Sequence, residues 1–507
     1  MKKGQRLNYA EGRKRRSLGL SGSRCIFVCF IIIIIGIGIG PFREFSAIST
    51  AQDPLLQTEK KPKYDQLSSY IIIVSISGLK ANVLDNADRD RLKIPAIRSL
   101  LEKGARAVAV ESVYPSLTNP AHASIATGVY PADHGITSDF PFNELTGVQA
   151  DEPYWLAKDI KTETLWDAAK RGGFVTAAVG YPLTAGAAID FNLPLAFATD
   201  FMSDTDVAIN RLLSKQLINP PDLLDKLGPE IMNVPFSVDK KLKDIAGNQR
   251  IDQLKADTAA YIIENHQPNL LMINLDSYAT ALRRYGTQSR EAMLALEFID
   301  EQILKIMKPA EKLSRELTFF VISDFGLLEI DKTFNPNAVL AKKGWLSTAG
   351  KGRITAWRAI AQTYGGSAAI FLRDSHDKKT ISEIQDFFGE IYRKPESPIW
   401  QIITAQDAAK LGADPRAVLY LEAAPAYAMT ARASGPAISE ASDRAACGYL
   451  PSRSEMFGIF IASGKGIIRG AKIEYGRLID VAPTAARLLG LEMRTARGRV
   501  YTEVISQ

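Results

Sequence analysis

The sequence predicts an α/β domain with a central parallel or mixed sheet flanked by helices, and three observations carry that prediction. First, the runs "SYIIIVSIS" (69–77), "NLLMINLD" (269–276) and "LTFFVISD" (317–324) are continuously apolar, and each ends on a small or acidic residue. Strands buried on both faces read this way, because helices cover both sides of a parallel sheet. Second, "SREAMLALEFIDEQILKIMKPAEKL" lies between the last two runs, with apolar residues at helical spacing and Pro309 near its end. Strand, helix, strand in that order is a βαβ unit. Third, 507 residues with 46% hydrophobic and 23% charged content suffice for a large globular core and more than one domain.

The chain opens on a basic tail, residues 1–24, with eight basic residues against the single acid Glu11. That excess is larger than the whole chain's net charge of +6, so the remainder is slightly acidic. The basicity belongs to the tail and gives no reason to expect a nucleic-acid-binding face. "CIFVCFIIIIIGIGIGPF", residues 25–42, carries no charge and reaches across most of a bilayer as a helix. A basic flank stays cytoplasmic, so the expectation is a membrane anchor through this helix, with the main domain periplasmic or extracellular. A cleaved signal peptide is the other reading, with "ISTAQD" supplying small residues at a cleavage spacing. Residues 43–67 are polar with two prolines and read as a linker. The domain proper runs over 68–505. Cys25 and Cys29 fall in the apolar segment, which leaves Cys447 alone in the exported part. That excludes an intradomain disulfide and a cysteine-rich metal site.

In a parallel sheet, ligands gather at the carboxyl ends of the strands. Ser77, Asp276 and Asp324 stand at those ends. Asp324 opens an Asp-Phe-Gly triplet, as in the magnesium motif of protein kinases. No His-Arg-Asp loop, glycine-rich nucleotide loop or Val-Ala-Ile-Lys strand accompanies it, so the kinase reading is excluded. "GIFIASGKG" (458–466) is not a phosphate loop either: its glycine spacing is one residue too long, and Gly466 stands where a Ser or Thr is needed.

"VYPSLTNPAHASIATGVYPADHGI" (113–136) resembles the nucleophile segment of the type I phosphodiesterase/nucleotide pyrophosphatase family, within the alkaline phosphatase superfamily. Thr118 matches the nucleophilic threonine, and Asn119, Pro120 and His122 follow it. Thr127-Gly128, Tyr130-Pro131 and His134-Gly135-Ile136 complete the pattern. "TLWDAAKRGGFVTAAVGYPLTAGAAIDFNLP" (164–194) and "DVAPTAARLLGLEMRTARGR" (480–499) resemble later family segments, so the likeness covers about 69–500. It implies an alkaline-phosphatase-like central sheet with an inserted cap subdomain at about 331–440, a binding role for Asn119, and phosphodiester or pyrophosphate hydrolysis. Active relatives use two zinc ions, which stabilise the threonine alkoxide and clamp the attacking and leaving oxygens.

Against that pattern, Asp276 and Asp324 are retained ligand positions. The other four carry replacements: Ser77 for an aspartate, and Thr280, Phe325 and Cys447 each for a histidine. The chain has four histidines in all. His122 and His134 belong to the nucleophile segment, His266 precedes a strand at its amino end, and His376 sits in a polar loop of the insert. Asp276, Cys447 and Thr280, or Asp324, Thr118 and Ser77, make poor zinc sets. The expectation is no cofactor, or at most one weakly bound divalent ion, with Phe325 packed into the core and Arg283 and Arg284 on the solvated surface, as part of a basic rim that could attract phosphate. Two functional readings follow. One is an exported, membrane-anchored, phosphodiesterase-like protein with a degenerate dimetal site, catalytically silent and acting through a phosphate-containing ligand or a partner. The other is a working phosphohydrolase with Thr118 as nucleophile, Asp276 or Asp324 as base, and one weak metal or none. The oligomeric state is not written in the sequence.

Overall fold

The structure, a computed structural model, describes residues 65–150, 152–194, 217–227, 245–313 and 316–506. The basic tail, the expected transmembrane helix at 25–42 and most of the linker lie outside the described residues. Among those described, no helix is long and apolar enough to cross a membrane.

The central sheet has eight strands: β1 (Tyr70–Ile76), β2 (Ala105–Glu111), β3 (Thr176–Val179), β4 (Phe191–Leu193), β5 (Leu270–Leu275), β6 (Leu317–Ile322), β7 (Gly458–Gly464) and β8 (Lys472–Arg477). Their spatial order is β8-β2-β7-β6-β1-β5-β3-β4. β1 pairs parallel with both β5 and β6. β7 runs antiparallel between β2 and β6, which makes the sheet mixed. Every residue of β5 and β6 is buried, as the continuous apolar runs require.

In register, Ser75 of β1 lies opposite Asn274 of β5 and Ile322 of β6. The carboxyl ends of the three central strands therefore finish level, and Ser77, Asp276 and Asp324 emerge along one edge. Helices α1 (Pro95–Lys103), α2 (Thr118–Thr127), α3 (Leu165–Arg171), α4 (Ile245–His266), α5 (Ser277–Tyr285), α6 (Arg290–Ala310) and α7 (Val481–Leu488) complete the layers. α6 is the predicted crossover helix. It connects β5 to β6 with β1 between them in the sheet.

The chain leaves the central sheet after β6 and re-enters it at β7. In between, Ala359–Thr363, Ser367–Leu372, Ile399–Thr404 and Leu419–Ala423 form a four-stranded antiparallel sheet. A smaller sheet sets Leu328–Phe334 beside Ala426–Met429, Ile438–Glu440 and Ala445–Ala446. Glu422, fully buried on the first of these sheets, accepts a 2.9 Å hydrogen bond from the Leu450 amide. Arg453 lies 3.5 Å from the same oxygen. The insert thereby braces the Cys447-Gly448-Tyr449 segment, where Gly448 has φ +87 and a Cβ would meet the Tyr364 carbonyl at 1.7 Å.

One buried ion pair fixes α5 to the sheet edge. Asp252 and Lys255 on α4 pair at 3.0 Å with side chains 1% and 3% exposed. The other Asp252 oxygen accepts from the amides of Asp276 (2.9 Å) and Ser277 (2.7 Å), which are free donors at the start of α5. Asp252→Ala removes the oxygen that two amides share and leaves Lys255 buried without its partner. The expected loss is about 3–5 kcal/mol, read as a lowered denaturant midpoint, and Asp252→Ala with Lys255→Met should recover part of it. Equal losses in the single and double variants would contradict this account.

Glu422 predicts a pH dependence. Burial pushes its carboxyl up to about 8 from an ordinary value of 4.5, with Leu450 and Arg453 opposing. The folded chain keeps this proton where an unfolded chain has released it. The stabilisation is therefore complete below 4.5 and is lost as pH rises to about 8. The stability difference between wild type and Glu422→Gln should shrink across that window. A difference that stays constant with pH would refute the assignment.

Candidate functional site

α2 starts at Thr118 immediately after extended Leu117, and Leu117 rather than Thr118 holds the capping position. All residues from Asn119 to Thr127 are buried. That explains the small Ala121, Ala123 and Ala126 along the helix. Gly128 ends it at φ 73, where a Cβ would meet Ala496 at 2.8 Å. His134 accepts from the Ile136 amide through Nδ1 (3.1 Å) and bonds the Ser124 hydroxyl through Nε2 (2.9 Å). Burial pushes its pKa down to about 3, so it serves as a neutral clasp between α2 and the following turn.

His122 points from α2 into the sheet edge. Its Nδ1–H donates to the Thr118 carbonyl at 2.8 Å. Nε2 lies 3.0 Å from the Ser75 hydroxyl and 3.2 Å from Asn274 Oδ1. The Tyr181 hydroxyl donates to the His122 carbonyl at 3.0 Å. One residue thus ties the start of α2, which carries Thr118, to β1 and β5.

Asp324 is fully buried. Its Oδ1 accepts from the amides of Gly78 (3.0 Å) and Phe325 (2.8 Å). Oδ2 has no hydrogen-bond partner among the described residues and lies 3.9 Å from His122 Nδ1. Burial pushes the carboxyl up, and His122 and the two amides oppose that. Ser77 turns its hydroxyl to Asn274 Oδ1 at 3.2 Å. Phe325 is 0% exposed and belongs to the main apolar core.

The second half of the site hangs on α5. Asp276 is half-buried, and burial pushes its carboxyl up against the opposing fields of Arg283 and Lys255. Thr280 receives a 3.0 Å hydrogen bond from the Asn248 side-chain amide. Arg283 does not lie on the solvated surface. It is half-buried and carries its guanidinium back to Cys447 Sγ at 3.9 Å. Asp276, Thr280 and Arg283 fall at i, i+4 and i+7, one face of the helix. Burial works against the Arg283 charge, but Cys447, Asp276 and Asp139 outweigh it and hold the pKa above its ordinary value. Cys447 is 8% exposed, and burial pushes its thiol up.

A cavity of about 220 Å³ lies between the start of α2 and α5, and Ser77, Thr280, Asp324, Phe325 and Cys447 do not line it. Thr118, Asn119, Asp139, Asn274, Asp276 and Arg283 give it polar groups, and Tyr154, Trp155, Tyr181 and Leu183 give it apolar walls. Asp139 Oδ1 accepts the Asn119 amide at 2.8 Å, and the Asn119 side chain donates to the carbonyls of Asp139 (3.1 Å) and Tyr154 (3.2 Å). Sequence reasoning placed Thr118, Asn119 and Asp276 here. It missed Asp139 and Asn274, and it placed Arg283 on a surface rim. A signal existed for two of them: Asn274 precedes Asp276 by two on a strand, the same-face spacing, and Arg283 shares a helix face with Thr280.

The residues present do not fit a pair of zinc ions. Phe325 is core, the Thr280 hydroxyl is engaged by Asn248, and the Cys447 thiol faces a guanidinium. Among the described residues, no three His, Cys, Asp or Glu side chains converge as a metal site. His266 stacks on Phe191 and His376 is exposed beside Asp374, so neither joins the site.

Comparison with known proteins identifies the family and the fold. The family model described as type I phosphodiesterase / nucleotide pyrophosphatase matches residues 71–436. The chain is 24% identical over 265 residues to human ectonucleotide pyrophosphatase/phosphodiesterase family member 1, covering 50% of this chain and 23% of that protein. It is 24% identical over 271 residues to venom phosphodiesterase 2 of Crotalus adamanteus, covering 52% and 27%. An uncharacterized pyrophosphatase/phosphodiesterase of Schizosaccharomyces pombe is 31% identical over 122 residues, covering 22% and 24%. The chain spans about a quarter of the length of these curated relatives. Murine ectonucleotide pyrophosphatase/phosphodiesterase 5 shares the fold, with a TM-score of 0.57 at 15% identity over 85% of this chain and 97% of that one. With the family model matched from β1 into the region before β7, and the same fold in a solved relative, the chain belongs to the type I phosphodiesterase/nucleotide pyrophosphatase family.

Proposed function

We propose that this protein is a phosphodiesterase-like binding protein, exported and held at a membrane by residues 25–42, whose cavity takes a phosphate-containing ligand without two-metal hydrolysis. One observation carries the reading: most of the positions a dimetal centre needs are engaged in contacts within the protein. Thr280 bonds Asn248, Cys447 faces Arg283, Phe325 packs in the core, and Asp324 spends one oxygen on two amides. A threonine hydroxyl is a weak nucleophile unless a base or metal activates it. Zinc would supply that activation in an active relative, but this donor set gives it no closed cage. What remains is a pocket built for recognition. Thr118 offers a hydroxyl, Arg283 a cation, and the aromatic walls an apolar face for the organic part of a phosphoester.

The alternative, a working phosphohydrolase, draws on Thr118 and Asp276 lining the same cavity. One experiment separates the two. Protein purified without chelator should carry well below one zinc ion per chain by elemental analysis. It should turn over bis(p-nitrophenyl) phosphate no faster than Thr118→Ala. Two tightly held zinc ions, or turnover that disappears in Thr118→Ala, would overturn the binding-protein reading.

A further inference from the structure

We propose that Arg283 is the residue that holds the ligand's phosphate, its guanidinium supplying the positive charge that metal ions would otherwise bring to this pocket. The assignment rests on the phosphate-binding reading above and names the group responsible. Three observations support it. Arg283 lines the cavity together with Thr118 and Asn119. It is held there from both sides, because its carbonyl accepts the Arg444 amide at 2.6 Å and its side chain meets Cys447, three residues further on. Its donors are also largely uncommitted. A guanidinium has five N–H groups in a fork, and the one side-chain bond found among the described residues goes to the Cys447 sulfur at 3.9 Å, a weak acceptor.

The neighbouring acids do not consume the fork. Asp139 turns an oxygen to the Asn119 amide. Among the described residues, no carboxylate oxygen comes within ion-pair distance of Arg283, although Asp276 and Asp139 are near enough to act on it through space. A half-buried guanidinium with one sulfur partner is a poor arrangement in itself. It suits a bidentate oxyanion, since two parallel N–H···O bonds match the fork of a phosphate. Asp276 and Asp139 then act as a counterweight that keeps Arg283 fixed, and they disfavour highly charged anions over a phosphate monoester or diester.

The test uses the full chain, with phenyl phosphate as probe and isothermal titration calorimetry in EDTA. Binding is expected in EDTA and unchanged on adding excess zinc. Arg283→Met should weaken it about tenfold or more, and Arg283→Lys by less, since a point charge replaces a fork. On the wild-type protein, phenyl phosphate should also protect Arg283 from phenylglyoxal, read by peptide mass spectrometry. That arm does not depend on the variants folding. Equal binding by wild type and Arg283→Met, no protection of Arg283, or no binding of the probe would each overturn the assignment. Equal binding in EDTA removes Arg283 alone and leaves the metal-free reading standing. Binding that appears only with added zinc removes both.

Discussion

Ser75 of β1 stands beside Asn274 of β5 on one side and Ile322 of β6 on the other, and the site depends on that shared register. These strands are buried on both faces, so a slip of one residue would turn every side chain to the wrong layer. Held level, they deliver Ser77, Asp276 and Asp324 to one edge. His122 reads the same register from above, reaching Ser75 on one strand and Asn274 on the next. The position of Thr118 follows, because His122 also binds the Thr118 carbonyl one turn earlier in α2. The scaffold of the candidate site is thus maintained by strand pairing and one imidazole.

The chemistry hung on that scaffold has been re-partnered. Carboxylates gathered at a strand edge need positive charge or amide donors nearby, or they bind protons instead. Here each acid has a partial local answer, and burial still pushes all three up. Asp324 takes two amides and faces His122, Asp276 lies in the field of Arg283 and Lys255, and Asp139 takes the Asn119 amide. Lys255 acts at a distance, through the α5 start that Asp252 holds. Thr280 takes an amide from Asn248, and Cys447 faces the guanidinium of Arg283.

Much of this was legible in the chain. The three central strands announce themselves because two-sided burial leaves no polar alternation to confuse them with surface strands. The crossover helix between β5 and β6 shows its period and its Pro309, and the mixed central sheet matches what the family likeness implied. Phe325 sits in the core, among neighbours that are themselves apolar. Arg283 was misread. Two arginines at the end of an amphipathic helix usually point to water, and nothing local marks the one that turns inward. Leu117 rather than Thr118 takes the capping position before α2, and only backbone angles distinguish the two.

By itself, the sequence determined which segments are buried strands, where those strands end, and that no histidine stands at positions 280, 325 and 447, where the family likeness implies one. These are properties of adjacent residues, and the periodicity of burial writes them into the chain. The partners of the remaining acids were decided only in three dimensions. Arg283 reaches Cys447 across 164 residues and Asp139 meets Asn119 across 20. Contacts of that range depend on how helices and the returning insert are seated, and local spacing does not encode such seating.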